Sequence, residues 1–489
     1  MTLLTVSADE LRAAAPEPLV VPRAREEIRK ANKESKSWVI VLDDDPTGSQ
    51  SVHGIPVLTS WSTEDLVWAF AQNATGFFIL TNTRGLNDGE ARETVRTVME
   101  NIAVVAARSN VDYTIITRSD STLRGHYPLE TDVLVERAQQ EGRPYSALLF
   151  APAYIAAGRV TATDVHYVQE GDVFVPVGDT NYARDATFGF SSSNIRDYVQ
   201  ERTEGSIPAA TVISIGLDDI RTGGPNRVRD ILLGCSGAVP VVVNALEDSD
   251  LDVVTLGLLL AQQEGSRILC RTGPSFVASR LGIEARPPLD HDEIFVSGER
   301  PGNGLVVVGS HVTLTTLQVA RLQADVADLE VVEVHVPSLL DPATARAEVE
   351  RCSAALAEAM TRTDTLLVSS RDQIVGDTGH DSLLIAQTVS RALVRLTRSV
   401  VDAVPVRWVL AKGGITSSDT ATEGLGIRRA IVAGQLFDGI VSVWLNRSDT
   451  ALTDLPFVVF AGNVGDETSL AAAVTMLRQH RDLVSPAER

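Results

Sequence analysis

Carboxylates, arginines and hydroxyl groups gather in short segments that directly follow apolar runs in the first half of the chain. The run Val39–Leu42 is followed by three adjacent carboxylates, Asp43, Asp44 and Asp45. Adjacent carboxylates repel one another unless cations or hydrogen-bond donors compensate them. The segment therefore predicts a general base, or a site for a metal ion or hydroxyl groups. An acidic turn without a chemical role is the alternative.

Two further segments add arginines and hydroxyls in the same position relative to an apolar run. Arg84 lies in the segment after Phe77–Leu80, and the segment 117–126, TRSDSTLRGH, follows Tyr113–Ile116. The planar guanidinium fork of arginine suits a carboxylate because it can bind both oxygens. Together with the aspartates, these side chains would suit a small polyhydroxy acid. Taken alone, each arginine could equally be a surface residue or part of a structural ion pair.

Three glycine-containing turns follow apolar runs in the second half of the chain. They are 309–313 (GSHVT), 412–418 (KGGITSS) and 462–465 (GNVG). Small residues allow backbone N–H groups to approach a phosphate, and the N-terminus of a following helix adds favourable charge. Any single turn could simply connect a strand to a helix, but three in one domain favour phosphate or nucleotide binding. Thr416, Ser417 and Ser418 are also suitable N-caps for a helix over Asp419–Gly424.

Polar segments elsewhere in the first half are predicted to be long loops that line the site. They lie at 152–159, 166–168 and 176–185. His166, in the second of them, is interpreted as a hydrogen-bonded packing residue rather than as a catalytic group, because a single histidine is more often structural than catalytic.

The elements that would position these segments alternate between short apolar runs and stretches with helical spacing. Most runs are solidly apolar, as in strands buried on both faces of a parallel sheet. Thr63–Gln72 and Asp88–Arg108 show helical spacing, the second with Asn87 or Asp88 as its N-cap. The pattern predicts an α/β protein with mostly parallel or mixed sheets, and such sheets bind ligands beyond the carboxyl ends of their strands.

A segment rich in proline, glycine and charge, 284–304, interrupts this alternation and predicts a linker. We therefore expect two α/β domains. The predicted division is an N-terminal helical extension outside the core (1–36), a first domain (37–290), the linker (291–304) and a second domain (305–489). Within the extension, helices are expected over Ala8–Ala14 and Arg23–Asn32.

Composition argues against several other classes of protein. Of the 489 residues, 44% are hydrophobic and 22% are charged, and the net charge is −21. An acidic chain argues against nucleic acid or an anionic membrane as the main partner, since both bind basic surfaces. Cys235, Cys270 and Cys352 are too dispersed for a disulfide framework or a cysteine zinc site. With no signal peptide and no apolar run of about 18 residues, a soluble cytoplasmic protein is expected.

Taken together, these segments resemble the motifs of the four-carbon acid sugar kinases, whereas the P-loop, hydrolase, zinc-protease and protein-kinase signatures are absent. The matching stretches of the first half are DDDPTGSQ (43–50), RSDSTLRG (118–125), PAY…GR (152–159), HYV (166–168) and ARD (183–185). Those of the second half are VVGSHV (307–312), AKGGITSSD (411–419) and FAGNVG (460–465). The motifs occur in order in both halves, which makes the resemblance specific.

The resemblance implies ATP-dependent phosphorylation of a four-carbon sugar acid such as a threonate, an erythronate or a 3-oxo-tetronate. The first domain would bind the acid and the second the nucleotide. The acid site would comprise Asp44, Asp45, Arg84, Arg118, Asp120, Ser121 and Arg124. ATP would contact Ser310, Gly413, Gly414, Ile415, Thr416, Gly462, Asn463 and Gly465. The chain departs from the family pattern where Arg118 replaces a lysine and Ile415 a glutamate, which leaves the particular acid open.

The implied reaction asks the protein mainly for positioning and charge neutralisation. Asp45, with Asp120 as the competing candidate, would accept the proton of the acceptor hydroxyl or orient that hydroxyl. Arg84, Arg124 and Arg118 would hold the carboxylate of the acid. Mg²⁺ would bridge the phosphates with few protein ligands, and the active site would lie in the cleft between the two domains.

Two other classes of function stay open. One is a non-catalytic protein of the same fold that senses a sugar acid or a nucleotide, or acts by contact. The other is a hydrolase or lyase acting on a phosphorylated sugar acid, which dependence on ATP would distinguish from a kinase. The retained Asp44, Asp45 and Asp120 argue against a decayed site. A homodimer is kept as an option for the assembly.

Overall fold

The chain folds into two compact units, which the computed structural model describes over residues 5–298, 300–371 and 379–479. The first unit comprises the described residues up to Val52 together with Ser60–Arg286. The second comprises His53–Thr59 and the described residues from Pro287 onward. The chain therefore passes between the units three times, because a short segment of the second unit is inserted in the sequence of the first.

The first unit contains a row of seven parallel strands. They are β2 (Ser37–Asp43), β4 (Gly76–Leu80), β5 (Asp112–Arg118), β6 (Ala147–Ala151), β10 (Ile213–Ile215), β11 (Val239–Val243) and β12 (Ile268–Thr272). They pair in the order β10-β11-β6-β12-β5-β2-β4. Ile40 of β2 and Phe78 of β4 are fully buried. The predicted parallel arrangement is confirmed, since strands covered by helices on both faces have no polar side.

Ten helices of the first unit lie among the described residues. They are α1 (Ala8–Ala13), α2 (Ala24–Ser35), α3 (Thr63–Phe70), α4 (Asp88–Ser109), α5 (Leu129–Gln140), α6 (Ile195–Arg202), α7 (Leu217–Arg221), α8 (Gly224–Leu233), α9 (Asp248–Gln263) and α10 (Pro274–Leu281). Helix α4 begins at the predicted Asn87, whose side chain accepts a hydrogen bond from the N–H of Glu90 at 3.0 Å. The Glu90 carboxylate accepts in return from the N–H of Asn87, which completes a capping box.

Helix α2 belongs to the core of the first unit, which differs from the predicted extension outside the core. Ile28 is fully buried, and Arg25 forms an ion pair with Asp252 of α9 at 3.1 Å. The sequence predicted this helix outside the core, but its apolar positions fall on one face that packs against α9 and α10. Residues 1–4 of the predicted extension lie outside the described residues.

A second, antiparallel sheet occupies part of the region that was predicted to be loops. Its strands are β1 (Val6–Ser7), β7 (Arg159–Ala162), β8 (Val165–Glu170) and β9 (Val173–Pro176), in the order β1-β9-β8-β7. The loop prediction was wrong for 166–168, which lie in β8, and for Arg159 and Pro176 at the ends of β7 and β9, because polar residues of these short strands are buried and hydrogen-bonded. Thr161 of β7 and His166 of β8, for example, are both fully buried and bond each other at 2.9 Å.

The second unit contains a mixed set of eight strands. They are β3 (Ile55–Leu58), β13 (Asn303–Val308), β14 (Glu330–Val334), β15 (Thr365–Ser369), β16 (Val406–Lys412), β17 (Arg429–Phe437), β18 (Ile440–Asn446) and β19 (Pro456–Phe460). They pair in the order β3-β17-β18-β19-β16-β13-β15-β14. The five strands from β19 to β14 are parallel, and β3, β17 and β18 are antiparallel to their neighbours. The predicted mixed α/β class therefore also holds for this unit.

The helices described in the second unit begin inside the predicted linker. They are α11 (His291–Ile294), α12 (Thr313–Asp325), α13 (Val336–Leu340), α14 (Ala345–Arg362), α15 (Gly379–Ala403), α16 (Gly414–Asp419) and α17 (Ser469–Arg478). Leu289, Ile294 and Phe295 are buried in the core of this unit, and β13 starts at Asn303. The linker is thus shorter than 291–304, because apolar anchors stand among its prolines and charges. None of the described helices combines the length and the apolar character needed to cross a bilayer.

Candidate active site

The predicted acid-site segments lie at a topological switch point of the first unit. Strands β2 and β5 are adjacent and parallel, and their connections leave in opposite directions, from β2 towards β4 and from β5 towards β6. Open α/β sheets bind ligands in the crevice beyond the carboxyl ends of two such strands. The turn 43–45 follows β2 and the turn 119–125 follows β5, so topology brings the two segments together.

Two arginines compensate the three carboxylates of the turn after β2. Arg118 Nη1 lies 3.0 Å from Asp43 Oδ1. Arg84 Nη2 lies 2.7 Å from Asp44 Oδ1, and its Nη1 lies 3.3 Å from Asp45 Oδ2. Asp43 and Asp44 are buried, whereas 20% of the Asp45 side chain is exposed. Asp45 is therefore the most accessible carboxylate of the three.

Asp43 has a structural role, because its carboxylate contacts the backbone of this turn. Burial, with Asp44 and Asp45 nearby, raises the pKa of Asp43 to about 7, although Arg118 opposes the shift. Asp43 Oδ1 also accepts a hydrogen bond from the N–H of Asp45 at 3.2 Å. A Cβ built on Gly48 would lie 1.9 Å from Asp43 Oδ2, so only glycine lets the chain close over this carboxylate.

Asp120 is held in a separate group of charges after β5. Its carboxylate accepts a hydrogen bond from the Thr122 hydroxyl and one from Arg124 Nε at 2.7 Å. Arg124 Nη1 also lies 3.4 Å from Asp185 Oδ2. Burial alone would raise the pKa of Asp120, but Arg84 and Arg124 hold it well below its usual value. Asp120 is thus a weak base, which leaves Asp45 as the better candidate for accepting a proton.

The backbone of the 119–125 turn is fixed by side chains from other elements. His166 Nε2 donates to the carbonyl of Ser121 at 2.7 Å, and the Tyr198 hydroxyl donates to the carbonyl of Leu123 at 2.7 Å. Burial lowers the pKa of His166 to about 4, so its ring stays neutral near neutral pH. These contacts agree with the interpretation of His166 as a packing residue.

Arg271, at the end of β12, is a buried cation that the sequence reasoning missed. Its side chain is 3% exposed and lies over the rings of Tyr127 and Phe150. Its Nη2 donates to the carbonyl of Arg124 at 3.4 Å, and no carboxylate in the described part of the chain forms an ion pair with it. The available signal was a charged residue near the end of a run that is otherwise apolar, ILCRT (268–272).

Gly125 lies close to both Arg271 and the carboxylate turn. A Cβ built on Gly125 would lie 3.1 Å from Asp44 Oδ2 and 3.8 Å from Arg271 Nη2. Asp44 Oδ2 is buried and has no hydrogen-bond partner. A carboxylate oxygen without a hydrogen-bond partner and a cation without an ion pair among the described residues thus lie on either side of Gly125, and a hydroxyl and a carboxylate are the groups that would satisfy them.

The predicted nucleotide turns lie at the corresponding switch point of the second unit. Strands β13 and β16 are adjacent and parallel, and their connections leave towards β14 and towards β19, on opposite sides. The first turn follows β13 and the second follows β16. The third follows β19, which pairs with β16. All three turns therefore meet beyond the carboxyl ends of neighbouring strands.

Close contacts show that the three turns form one cradle lined by backbone. A Cβ built on Gly462 would lie 2.8 Å from Ser310 Oγ, and one built on Gly413 would lie 3.0 Å from Thr416 Oγ1. The Thr315 hydroxyl donates to the carbonyl of Gly462 at 2.9 Å. Gly413 has a φ of +124°, which residues with a side chain rarely adopt. The glycines leave the space beside the hydroxyls of Ser310 and Thr416 free of further side chains, and such small residues let a phosphate approach the backbone.

The helix after the second turn begins earlier than predicted. Its N-cap is Gly413, so Thr416, Ser417 and Ser418 lie inside α16 and do not cap it. The glycine pair lets the backbone turn from β16 directly into the helix, and the Ser417 hydroxyl donates to the carbonyl of Ala411 at 2.9 Å.

The remaining predicted nucleotide residues lie on the outer surfaces of the turns. Gly414 and Ile415 open α16, and 62% of the Ile415 surface is exposed. Asn463 and Gly465 are exposed in the third turn. The structure therefore places every predicted nucleotide residue on one of the three turns.

Lys412 is a buried cation between the second and third turns. Its Nζ donates to the carbonyl of Ala461 at 2.6 Å and lies 3.4 Å from the carbonyl oxygen of Val464. It also lies 3.8 Å from the ring centroid of Phe460. Burial lowers the pKa of Lys412 to about 7. The side chain thus ties the end of β16 to the third turn, a positioning role that the sequence reasoning did not identify.

Comparisons with protein families match two domain families in this chain. Residues 39–280 match the sugar-binding N-terminal domain, and residues 305–470 match the nucleotide-binding C-terminal domain. The 3-oxo-isoapionate kinase of Paraburkholderia graminis is 24% identical over 346 residues, which cover 65% of this chain and 69% of that kinase.

Two solved structures share the fold over about nine tenths of the chain. A Salmonella typhimurium LT2 protein, provisionally named a tRNA synthase, superposes with a TM-score of 0.64 at 16% identity, covering 89% of this chain and 98% of that protein. Haemophilus influenzae protein HI1011 superposes with a TM-score of 0.57 at 16% identity, covering 90% and 100%. At these identities the likeness concerns the fold alone. The two matched domains, in this order, show that the chain belongs to the four-carbon acid sugar kinase family.

Proposed function

We propose that this protein transfers the γ-phosphoryl group of ATP to a hydroxyl of a small sugar acid, with four-carbon acids as the first candidates. The observation that carries the proposal is the pairing of two ligand sites in one chain. One is a crevice lined by aspartates and arginines in the sugar-binding domain, and the other is a backbone-lined cradle in the nucleotide-binding domain. The relative named for 3-oxo-isoapionate kinase activity supports a sugar acid as the acceptor.

In the proposed complex, the three glycine turns hold the nucleotide phosphates. Ser310, Gly413 and Gly462 line the cradle, and exposed Ile415 offers an apolar surface to the nucleoside. No group of three or more His, Cys, Asp or Glu side chains is arranged to hold a metal ion in the described part of the chain. Mg²⁺ would therefore arrive with the nucleotide, largely coordinated by water and phosphate, and would neutralise charge on the phosphates.

In the sugar-binding domain, Arg271 binds the carboxylate of the acid and Asp44 Oδ2 accepts one of its hydroxyls. Asp45 orients the acceptor hydroxyl and takes its proton while the hydroxyl oxygen attacks the γ-phosphorus and the bond to the β–γ bridging oxygen breaks. ADP leaves with that oxygen. Arg84, which is paired with Asp44 and Asp45, keeps the carboxylate turn charged and in place.

The experiment is a thermal-shift measurement with Mg-ATP, followed by a panel of tetronates, 3-oxo-tetronates, 3-oxo-isoapionate and longer aldonates. Ligands that bind only the folded state raise the melting temperature. Any acid that gives a shift is then tested for acid-dependent ADP release. ADP release with one acid establishes a sugar-acid kinase and names its substrate. Stabilisation by ATP and an acid without ADP release would favour a non-catalytic sensor instead.

A further inference from the structure

A cavity of about 330 Å³ opens at the amino-terminal ends of the parallel strands in the first unit. It lies at the opposite end of these strands from the turns of the proposed acid site. Its walls include the beginnings of β2, β5 and β12 and the facing sides of α2, α9 and α10. Its volume is at the lower end of the range of about 300–1,000 Å³ that small-molecule sites occupy.

Arg280 gives this cavity a buried positive charge. The side chain is 3% exposed, donates from Nη1 to Asn32 Oδ1, and donates from Nη2 to Gln262 Oε1 at 3.2 Å. Its Nε is buried and has no hydrogen-bond partner. Both partners are neutral amides, and no carboxylate in the described ranges forms an ion pair with Arg280. The amides therefore orient the guanidinium without neutralising it.

Arg267 adds a second positive charge to the same cavity. Its Nη1 donates to the carbonyl of Arg143 at 2.6 Å, and its guanidinium lies 5.2 Å from the centre of the Tyr145 ring. It too lacks an ion pair with any described carboxylate. A third arginine of the lining, Arg143, is neutralised by Asp112 at 3.1 Å. Two positive charges in the cavity are thus uncompensated.

The uncompensated charge of Arg280 is costly to the folded protein, because a buried charge without a counter-ion loses its hydration, and half-buried Arg267 adds a second positive charge to the lining. The cost is also unexpected in a chain of net charge −21, which has acidic side chains in excess. An anion with two negative charges would neutralise both arginines, and their guanidinium forks match the oxygens of a phosphate. Hydroxyl groups of Ser37 and Thr114 in the lining add further hydrogen-bonding capacity.

We propose that this cavity is a binding site for a small phosphate dianion, either inorganic phosphate or the phosphate group of a small metabolite. The site is separate from the acid site and from the nucleotide cradle, and it does not depend on the proposed kinase activity. An anion here would bridge α10 and the start of β12. The inference therefore predicts that phosphate stabilises the folded first unit through a second, non-catalytic site.

The test is thermal unfolding of the full chain in inorganic phosphate, with sodium chloride at the same ionic strength as reference, and glycerol 3-phosphate in parallel. We expect a saturable rise in melting temperature in the wild type. In Arg267→Met the dissociation constant for the anion should rise by about tenfold or more, because one charge-assisted contact is lost. Arg267 is half-buried and at the end of a loop, so this variant should fold. Arg280→Met should have the same effect if it folds.

The control is Arg227→Met, since Arg227 pairs with Asp219 on the surface outside the cavity. It should keep the full response to phosphate. Phosphate bound at the nucleotide cradle would stabilise the wild type and Arg267→Met equally, so an equal response of these two proteins would overturn the proposal. The absence of any saturable rise in the wild type would overturn it as well.

Discussion

The guanidinium of Arg84 lies 2.7 Å from Asp44 Oδ1, so this arginine is bound to a carboxylate of the protein itself. Arg118 and Arg124 are paired with aspartates in the same way. An arginine that is already paired offers less positive charge to an incoming acid. Arg271, which has no ion pair among the described residues, is therefore better suited to bind the substrate carboxylate than the three arginines that the sequence indicated.

Arg271→Met should raise the KM for the acid by roughly 10- to 100-fold, since a hydrogen bond to a charged group contributes about 1.5–3 kcal/mol. The KM for ATP should stay the same. Steady-state kinetics with each substrate varied in turn measures both constants. Arg202→Met is the matched control, because its guanidinium bonds the carbonyls of Tyr127 and Gly189. An unchanged KM for the acid in Arg271→Met would remove this residue from the acid site.

Asp45→Asn should lower kcat by about 10²- to 10⁴-fold, the usual contribution of a positioned general base. Nucleotide affinity should be nearly unchanged, because Asp45 belongs to the sugar-binding domain. Single-turnover phosphoryl transfer and ATP titration measure the two effects separately. Asp185→Asn is the matched control, since this carboxylate pairs with Arg124 at 3.4 Å and has no proposed role in proton transfer. Near-normal turnover of Asp45→Asn would contradict its proposed role.

Gly413→Ala should weaken ATP binding by more than about tenfold, because the new methyl group would lie 3.0 Å from Thr416 Oγ1 and enter the cradle. Because Gly413 has a positive φ, an alanine at this position also adds backbone strain of about 1–2 kcal/mol. Gly205→Ala controls for that strain, since Gly205 has a φ of +80° and no atom within 4 Å of the added Cβ. Calorimetric titration with ATP measures the affinity of Gly413→Ala and of Gly205→Ala. Equal ATP affinities of these two variants would argue against phosphate binding at this turn.

Lys412 should make the free energy of unfolding depend on pH. Its pKa falls from 10.5 to about 7 on folding, so the unfolded chain binds more protons between these two values. Stability contributed by this residue should therefore rise with pH from about 7 towards 10.5 and be flat below about 7. Denaturant unfolding of the wild type and Lys412→Met across this range gives the difference directly. Parallel pH profiles of the two proteins would show that Lys412 is not desolvated as described.

Much of the fold follows from local patterns in the sequence. Solidly apolar runs such as Val39–Leu42 can be buried only as central strands between helices, and Asn87 followed by Glu90 specifies the start of α4. The antiparallel sheet β1-β9-β8-β7 cannot be predicted from such local patterns. His166 is predicted to lie in a polar loop until its hydrogen bond to Thr161, which removes the cost of burying both side chains, is known.

In the candidate site, too, local sequence indicates some residues, whereas the roles of others depend on contacts between distant segments. In the sequence, Asp45 is the first candidate for the base and Asp120 the competing one, because each lies in a segment that follows a strand. Their ion pairs distinguish them, and these depend on Arg84 and Arg124 from separate segments. Arg271 becomes a candidate only because β12 pairs with β5, although six strands (β6–β11) and five α-helices (α5–α9) separate the two in the sequence.

The inserted segment His53–Thr59 has a consequence for how the chain is synthesised. Its strand β3 pairs with β17, and the Thr59 hydroxyl donates to the carbonyl of Ile427 across 368 positions of sequence. During translation β3 leaves the ribosome long before its partner exists, and the nucleotide-binding half cannot be completed from its own contiguous gene segment. A fragment starting at Pro287 would expose the edge of β17 and should aggregate, whereas co-expression with a fragment carrying β3 should restore solubility.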